Sequence, residues 1–417
     1  MLRIKPFTAL RPPVEHAAEV ACVPYDVINT AEARVLAEGK PRSFLHVIRP
    51  ELGLPDGTDP YSEQVYRAAC DNFARFQREG TLKAAPRPGV YLYRQQTTLL
   101  GRKVSQTGVV ACCHIDDYER GIIKKHEKTR KDKEDDRTRH VLELNANAEP
   151  VFFLFKDEPS LAAFIARDAA PSVAPLYDFT APDGVRHTIW ECPEAAAYVS
   201  AFKNVPVAYV ADGHHRTAAA ARAGAEKRAA NPGHTGDEGY NWFMAVLFPA
   251  SQLTILPYHR MVKSLGDLSP SAFVERLGAV GKVESASAAE PGARGSLGVY
   301  LGKAHGWKRV TIPADSIPTN DPIASLDYEM LADRILGPIL GITDLRTDKR
   351  IDFVGGIRGP GELEKRVDSG EMAAGFCMHP VQIEQLIAIA DAGAIMPPKS
   401  TWFEPKLRSG LLVNPLA

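Results

Sequence analysis

The stretch that most constrains this chain runs from Val205 to Arg216 and into the residues after it. Val205-Pro206-Val207-Ala208-Tyr209-Val210 is short and apolar, which predicts a buried strand. Thr217 to Ala230 is rich in Ala, Arg, Glu and Lys, the composition of a helix. Asp212-Gly213 is the punctuation between them. A strand, a tight turn and a helix in that order place His214, His215 and Arg216 at a helix N-terminus. Backbone N–H groups and the helix dipole favour an anion there, and a guanidinium adds a planar fork suited to phosphate oxygens. Two imidazoles and a guanidinium at the positive end of a helix are unfavourable unless an anion binds or Asp212 compensates. The competing reading has Asp212 capping the helix and the histidines solvated. In either case Arg216, at a helix start, is expected to be exposed and to add little stability.

The rest of the composition narrows the class. A net charge of -1 over 417 residues gives no global basic field for nucleic acid and no acidic tail for a charged partner. No run approaches ~18 apolar residues, and Met1-Leu2-Arg3-Ile4-Lys5-Pro6 has no apolar core of signal-peptide length. Six cysteines, none in a Cys-x-x-Cys pair, make a zinc site or a disulfide framework an unsuitable reading. The expectation is a cytoplasmic protein with a small-molecule substrate, no nucleic acid, no membrane, and a homodimer allowed for.

Along the chain, Val23-Pro24-Tyr25-Asp26-Val27-Ile28 is apolar except for one carboxylate. Burial there would raise the pKa of Asp26 and suit it to general-base work. Thr30 is the predicted N-cap of a helix ended by Gly39, and Val65, Ala69, Phe73 and Phe76 fall on one face of a second helix. Lys124 to Arg137 is dense in charge of both signs and reads equally as a solvated loop, an exposed helix or part of a site. Trp242 to Phe248 and Leu253 to Leu256 resemble a hairpin, and Asp327 to Leu340 is a helix with Leu331, Ile335 and Ile339 on one face. The expected organisation is a main domain over 1–264, an inserted or second small α+β segment over 265–322, and a part over 323–417 that packs back. The fold class is α/β or α+β with a mixed sheet. The tail, with two aromatics, three basic groups and several prolines from Met396 to Leu411, is predicted to be packed down.

The motifs Val23-Pro24-Tyr25-Asp26-Val27, Lys124 to Arg130, Ala211 to Arg216, Arg346 to Gly356 and Met396 to Phe403 together resemble the bacterial family catalogued as domain of unknown function 1015, nearly end to end. Asp212-Gly213-His214-His215-Arg216 is also similar to the phosphate-binding turn of the ParB/sulfiredoxin superfamily, whose free-serine kinases carry an Asp-Gly-His-x-Arg turn. Where sulfiredoxins have a Cys, this chain has His214, and it shows no basic recognition helix of the partition proteins. The resemblance implies that Asp212, Gly213, His214, His215 and Arg216, with Lys399, Ser400 and Thr401, bind the phosphates of ATP or ADP with Mg. Asp26, Glu127 and His126 are then the candidate catalytic groups, because phosphoryl transfer needs neutralisation, alignment and a base. The function implied is a kinase for a small hydroxyl compound such as free serine or a related hydroxy acid. A phosphate-ester or metal-assisted hydrolase, its metal unknown, and a non-catalytic nucleotide-binding regulator are the alternatives. Asp26, His126, Glu127, His215, Arg216 and Lys399 are expected to line one cleft.

Overall fold

The computed structural model describes residues 1–287 and 289–416. They divide into two compact units: residues 1–98, 103–253 and Pro405 onward in the first, 99–102 and 254–404 in the second. The architecture is mixed α/β, and the large sheet of the first unit is mixed in direction.

That sheet has nine strands. Its order is Ile123–Lys124, Ala208–Asp212, Val151–Phe155, Trp242–Pro249, Arg102–His114, Tyr91–Leu99, Arg186–Glu191 and Tyr177–Thr180, with Ile4–Lys5 pairing beside Arg102–His114. Most neighbours are antiparallel, but Trp242–Pro249 runs parallel to Val151–Phe155, and Ile123–Lys124 parallel to Ala208–Asp212. Every residue of Val151–Phe155 is buried, which is why its sequence is continuously apolar and does not alternate. The predicted hairpin of Trp242–Phe248 with Leu253–Leu256 does not form. Both edges of Trp242–Pro249 are already taken, so Thr254–Leu256 pairs with Trp402–Glu404 in the second unit.

The helices pack through their apolar faces. Glu63–Arg78 buries Val65, Ala69, Phe73 and Phe76, the predicted stripe. The first long helix starts one residue earlier than expected. Asn29, not Thr30, is the N-cap: its side chain accepts from the Glu32 N–H while the Glu32 carboxylate accepts from the Asn29 N–H. The mixed-charge segment becomes the helix Lys131–Leu144, which packs against the helix His214–Ala230 and buries Asp136, Arg137, Thr138 and His140. The tail is packed down. Leu407 to Asn414 is buried, Val413 bridges to Leu10, and Asn414–Pro415 pairs with Ala146–Asn147.

In the second unit one antiparallel sheet takes strands from three stretches of sequence: Lys282–Ala286, Trp307–Thr311, Ser296–Tyr300, Ala374–Cys377, Tyr258–Val262 and Ile351–Gly355, in that order. Of the strands within 265–322, Ser296–Tyr300 pairs with Ala374–Cys377, which pairs in turn with Tyr258–Val262. The predicted helix Asp327–Leu340 is continuous but has a π turn over Ala332–Leu336. The extra residue in that turn rotates the face, so Leu331, Ile335, Leu336 and Leu340 are buried and Ile339 is not.

Candidate functional site

The strand Ala208–Asp212 ends at the turn, Gly213 is the N-cap with φ +85°, and the helix His214–Ala230 begins at once. Gly213 is required twice over. Its backbone is left-handed, and a Cβ there would lie 3.1 Å from Cζ, Nε and Nη2 of Arg216. The guanidinium thus folds back over its own helix start. Asp212 does not cap the helix, since no side chain caps it. The carboxylate turns instead to Lys406 at 3.3 Å and Arg216 at 3.6 Å, both on Oδ2.

Arg216 is buried, not exposed as its place at a helix start suggested. Nη1 donates to the carbonyl of Pro150 at 2.6 Å, Asp26 Oδ2 stands 4.0 Å from Nη2, and Nε has no hydrogen-bond partner. Burial works against its charge, but Asp26, Glu149 and Asp212 outweigh that and hold its pKa above the ordinary value. Arg216 is therefore a charged, desolvated guanidinium with one edge unused.

The two histidines are not the cations that a helix start rich in basic residues implied. His214 is buried, and burial followed by the nearby His126 keeps its pKa well below the usual range. His126 is buried edge-on against it, ring centroids 4.5 Å apart, and burial lowers its pKa to about 4. His215, half-buried, accepts the Arg130 N–H at Nε2 over 3.0 Å, and burial lowers its pKa too. All three are neutral at pH 7. Nε2 of His214 has no hydrogen-bond partner.

Asp26 and Glu127 come to this turn from distant segments. Asp26 is exposed at the tip of its own turn, because Pro24 and Tyr25 take the core-facing positions; the expectation of burial fails. Glu127 Oε2 lies 3.8 Å from His214 Nδ1. Behind the turn is a cavity of about 20 Å³ whose polar walls include Arg137, His140, Asn147, Glu149 and Arg216. That is room for a water, not for a substrate. Glu149 accepts the Tyr25 N–H and the Ser409 hydroxyl, and burial raises its pKa while Arg216 and Arg137 oppose. Arg137 pairs with Asp136 at 2.7 Å and lies over the Tyr25 ring.

Lys399, Ser400 and Thr401 belong to the second unit. There Lys399 has a left-handed backbone, φ 57°, its ammonium lies over the Tyr258 ring, and Ser400 Oγ donates to the Pro397 carbonyl at 2.8 Å. Buried Arg260 holds this segment by donating to the carbonyls of Lys399 and Pro398. Among the described residues, no three His, Cys, Asp or Glu side chains converge to hold a metal ion.

Sequence reading passed over Lys406 and Glu149. Glu149 is a lone carboxylate before a wholly apolar strand, so the criterion that picked Asp26 would have picked it. Lys406 carries no comparable signal. It is one of three basic groups in the tail, and Lys399 drew the attention because Ser-Thr follows it.

Three solved structures match the chain at low identity. A conserved hypothetical protein from Pyrococcus furiosus is 14% identical over 74% of this chain and 95% of its own, with a TM-score of 0.35. A free serine kinase in complex with AMP is 12% identical over 71% of this chain and 86% of its own, with a TM-score of 0.35. SbnI with a C-terminal truncation, from Staphylococcus aureus, is 10% identical over 73% of this chain and 87% of its own, with a TM-score of 0.39. No curated protein matches the chain. The sequence model of a family described as a protein of unknown function, DUF1015, matches residues 4–329, which include Asp26, the Lys124–Arg130 segment and the Asp212–Arg216 turn, and this chain belongs to that family.

Proposed function

We propose that the Asp212–Arg216 turn binds the phosphates of ATP or ADP and that the protein transfers a phosphoryl group to the hydroxyl of a small compound, such as free serine or a related hydroxy acid. The observation that carries this reading is Arg216: buried, charged, with Nε unpartnered beside a glycine whose missing side chain makes room for the guanidinium over the turn. A desolvated guanidinium edge at the start of a 17-residue helix suits an oxyanion better than any neutral ligand. The donors fit phosphate: Arg216 Nε and the helix start. A bound nucleotide supplies the phosphoryl group. A magnesium ion carried in with the nucleotide would be met on the protein by the exposed carboxylate of Asp26 and would supply further neutralisation of the phosphate charge.

In this reading Arg216 neutralises and orients the phosphates, and neutral His214 stands beside it at the helix start. Asp26, 4.0 Å from Arg216 and open to solvent, takes the substrate hydroxyl proton as oxygen attacks phosphorus and the bond to the leaving phosphate breaks. Glu127 beside His214 is the second candidate base. His126 is too buried to meet substrate and holds His214 from behind. The site so defined lies within the first unit and does not draw on Lys399, Ser400 or Thr401.

The test is incubation with ATP or ADP and a pool of serine and hydroxy acids, followed by mass spectrometry for a product heavier by one phosphoryl group. A product that requires both nucleotide and alcohol supports the kinase. Nucleotide binding with no product for any alcohol would leave a regulatory nucleotide site. No binding of ATP or ADP removes the reading.

A further inference from the structure

We propose that Lys406 is the second cation of this site, a positioning residue that takes up Asp212 and so leaves the Nε edge of Arg216 open to an anionic ligand. This rests on the reading of the turn as a phosphate site and adds a residue from outside the family match, which ends at 329.

The geometry is competitive. Asp212 Oδ2 is 3.3 Å from Lys406 Nζ, within hydrogen-bond reach, and 3.6 Å from Arg216 Nη2. Without Lys406 the whole charge of this carboxylate would fall on Arg216, which also faces Asp26 and Glu149. An anion arriving at Arg216 would then meet an arginine already over-neutralised. The groups facing Asp212 are Lys406, Arg216, His214 and His126; the histidines are neutral, so Lys406 is the one that offsets it besides Arg216.

The fold is built to deliver this ammonium. Gln95 and Gln106 are fully buried on adjacent strands, where unpaired amides would be costly. Gln95 Nε2 donates to the Lys406 carbonyl at 2.7 Å. Gln106 Nε2 donates to Gln95 Oε1 at 3.0 Å and to the Pro405 carbonyl at 3.3 Å. Two residues on, the Arg408 N–H donates to the Tyr93 hydroxyl, and Arg408 pairs with Asp183. The backbone on both sides of Lys406 is thus fixed by groups that do not touch the turn, so the tail stays docked when the lysine is changed.

The test uses the full chain as wild type, Lys406→Met, Lys406→Gln, Lys406→Arg, Asp212→Asn and Lys406→Met/Asp212→Asn, with the thermal midpoint of each measured. Two readouts are taken: ADP affinity by calorimetry, and the titration of the Asp212 carboxyl by selectively labelled NMR. Lys406→Met and Lys406→Gln should weaken ADP binding about tenfold, the scale of one lost charge interaction. Lys406→Arg should keep most of the affinity. In the Asp212→Asn background, Lys406→Met should cost less than about threefold, because the competing carboxylate is gone. In Lys406→Met and Lys406→Gln the Asp212 carboxyl should titrate at higher pH than in wild type. Equal ADP affinity in wild type and Lys406→Met, or the same loss with and without Asp212, overturns the proposal. If wild type binds no nucleotide, the phosphate reading fails, and the Asp212 titration still decides: an unmoved carboxyl in Lys406→Met overturns the coupling, a raised one upholds it.

Discussion

Arg216 is charged and buried, and both facts limit how it can be probed. Arg216→Ala would strip the compensation from Asp26, Asp212 and Glu149 at once, so the expected cost is about 3–5 kcal/mol, as for breaking a buried pair. Thermal denaturation should show it plainly, and a midpoint near wild type would mean the three carboxylates do not depend on Arg216. Arg216→Lys is the cleaner probe. It keeps the charge and loses the fork, and nucleotide affinity should fall roughly ten- to a hundredfold, or about 1.5–3 kcal/mol. Gly213→Ala belongs beside it. The added Cβ meets the end of a flexible side chain at 3.1 Å on a left-handed backbone, so stability should drop by about 1–2 kcal/mol while the guanidinium is displaced. Loss of ADP affinity beyond the stability change is the expected signature; an unchanged affinity would separate Gly213 from binding. The residue types of the turn were legible in sequence. Their charge states were not, because a histidine is cation or neutral according to burial, and burial is decided by segments far away in the chain.

Elements with strong local signals came out in kind: the strand before Gly213, shifted from Val205–Val210 to Ala208–Asp212, the helix after it, which begins at His214 and not Thr217, the stripe of Glu63–Arg78, and the docked tail. What sequence could not give was which strand lies beside which. Trp242–Pro249 has two partners that local pattern cannot name, and the supposed hairpin failed for that reason. The tail shows how firmly an element can be fixed by one small residue. Gly410 has φ +88°, and a Cβ there would lie 2.6 Å from Cβ of Phe44, the rigid root of a buried side chain and not its mobile end. Gly410→Ala should therefore cost more than Gly213→Ala, about 2–4 kcal/mol from strain and overpacking together. Chemical denaturation of the two variants side by side checks the order. If Gly410→Ala is the milder of the two, the tail is not held as tightly against Phe44 as its packing implies.

At the scale of the molecule the two units differ in the protons they refuse. In the first, burial holds His126 and His140 to a pKa of about 4 and His187 to about 3, so all three are neutral in the fold. In the second, burial lowers His259 to about 4 and raises the carboxyls of Asp327 and Glu329. The signs are opposite. A depressed histidine costs nothing above the unfolded value near 6.5; as pH falls from there toward 4 the unfolded chain takes a proton that the fold does not, and stability drops by up to about 1.4 kcal/mol per pH unit for each. A raised carboxyl takes its proton earlier in the fold than in the unfolded chain, so it gains stability over the same descent. Glu149 does this in the first unit, against His126, His140, His187, His214 and His215; Asp327 and Glu329 do it in the second, against His259. Acidification from pH 7 to pH 5 should thus loosen the first unit more than the second. Hydrogen exchange, corrected for its intrinsic pH dependence, should show protection lost first in the strands Val151–Phe155 and Arg102–His114 and retained longer in Tyr258–Val262 and Ala374–Cys377. An equal loss in both sheets would mean that the buried histidines do not set the acid limit of this fold. Replacing His187 by Gln, which titrates nowhere in this range, should then recover part of the first unit's protection at pH 5 if the account is right, and none of it if it is wrong.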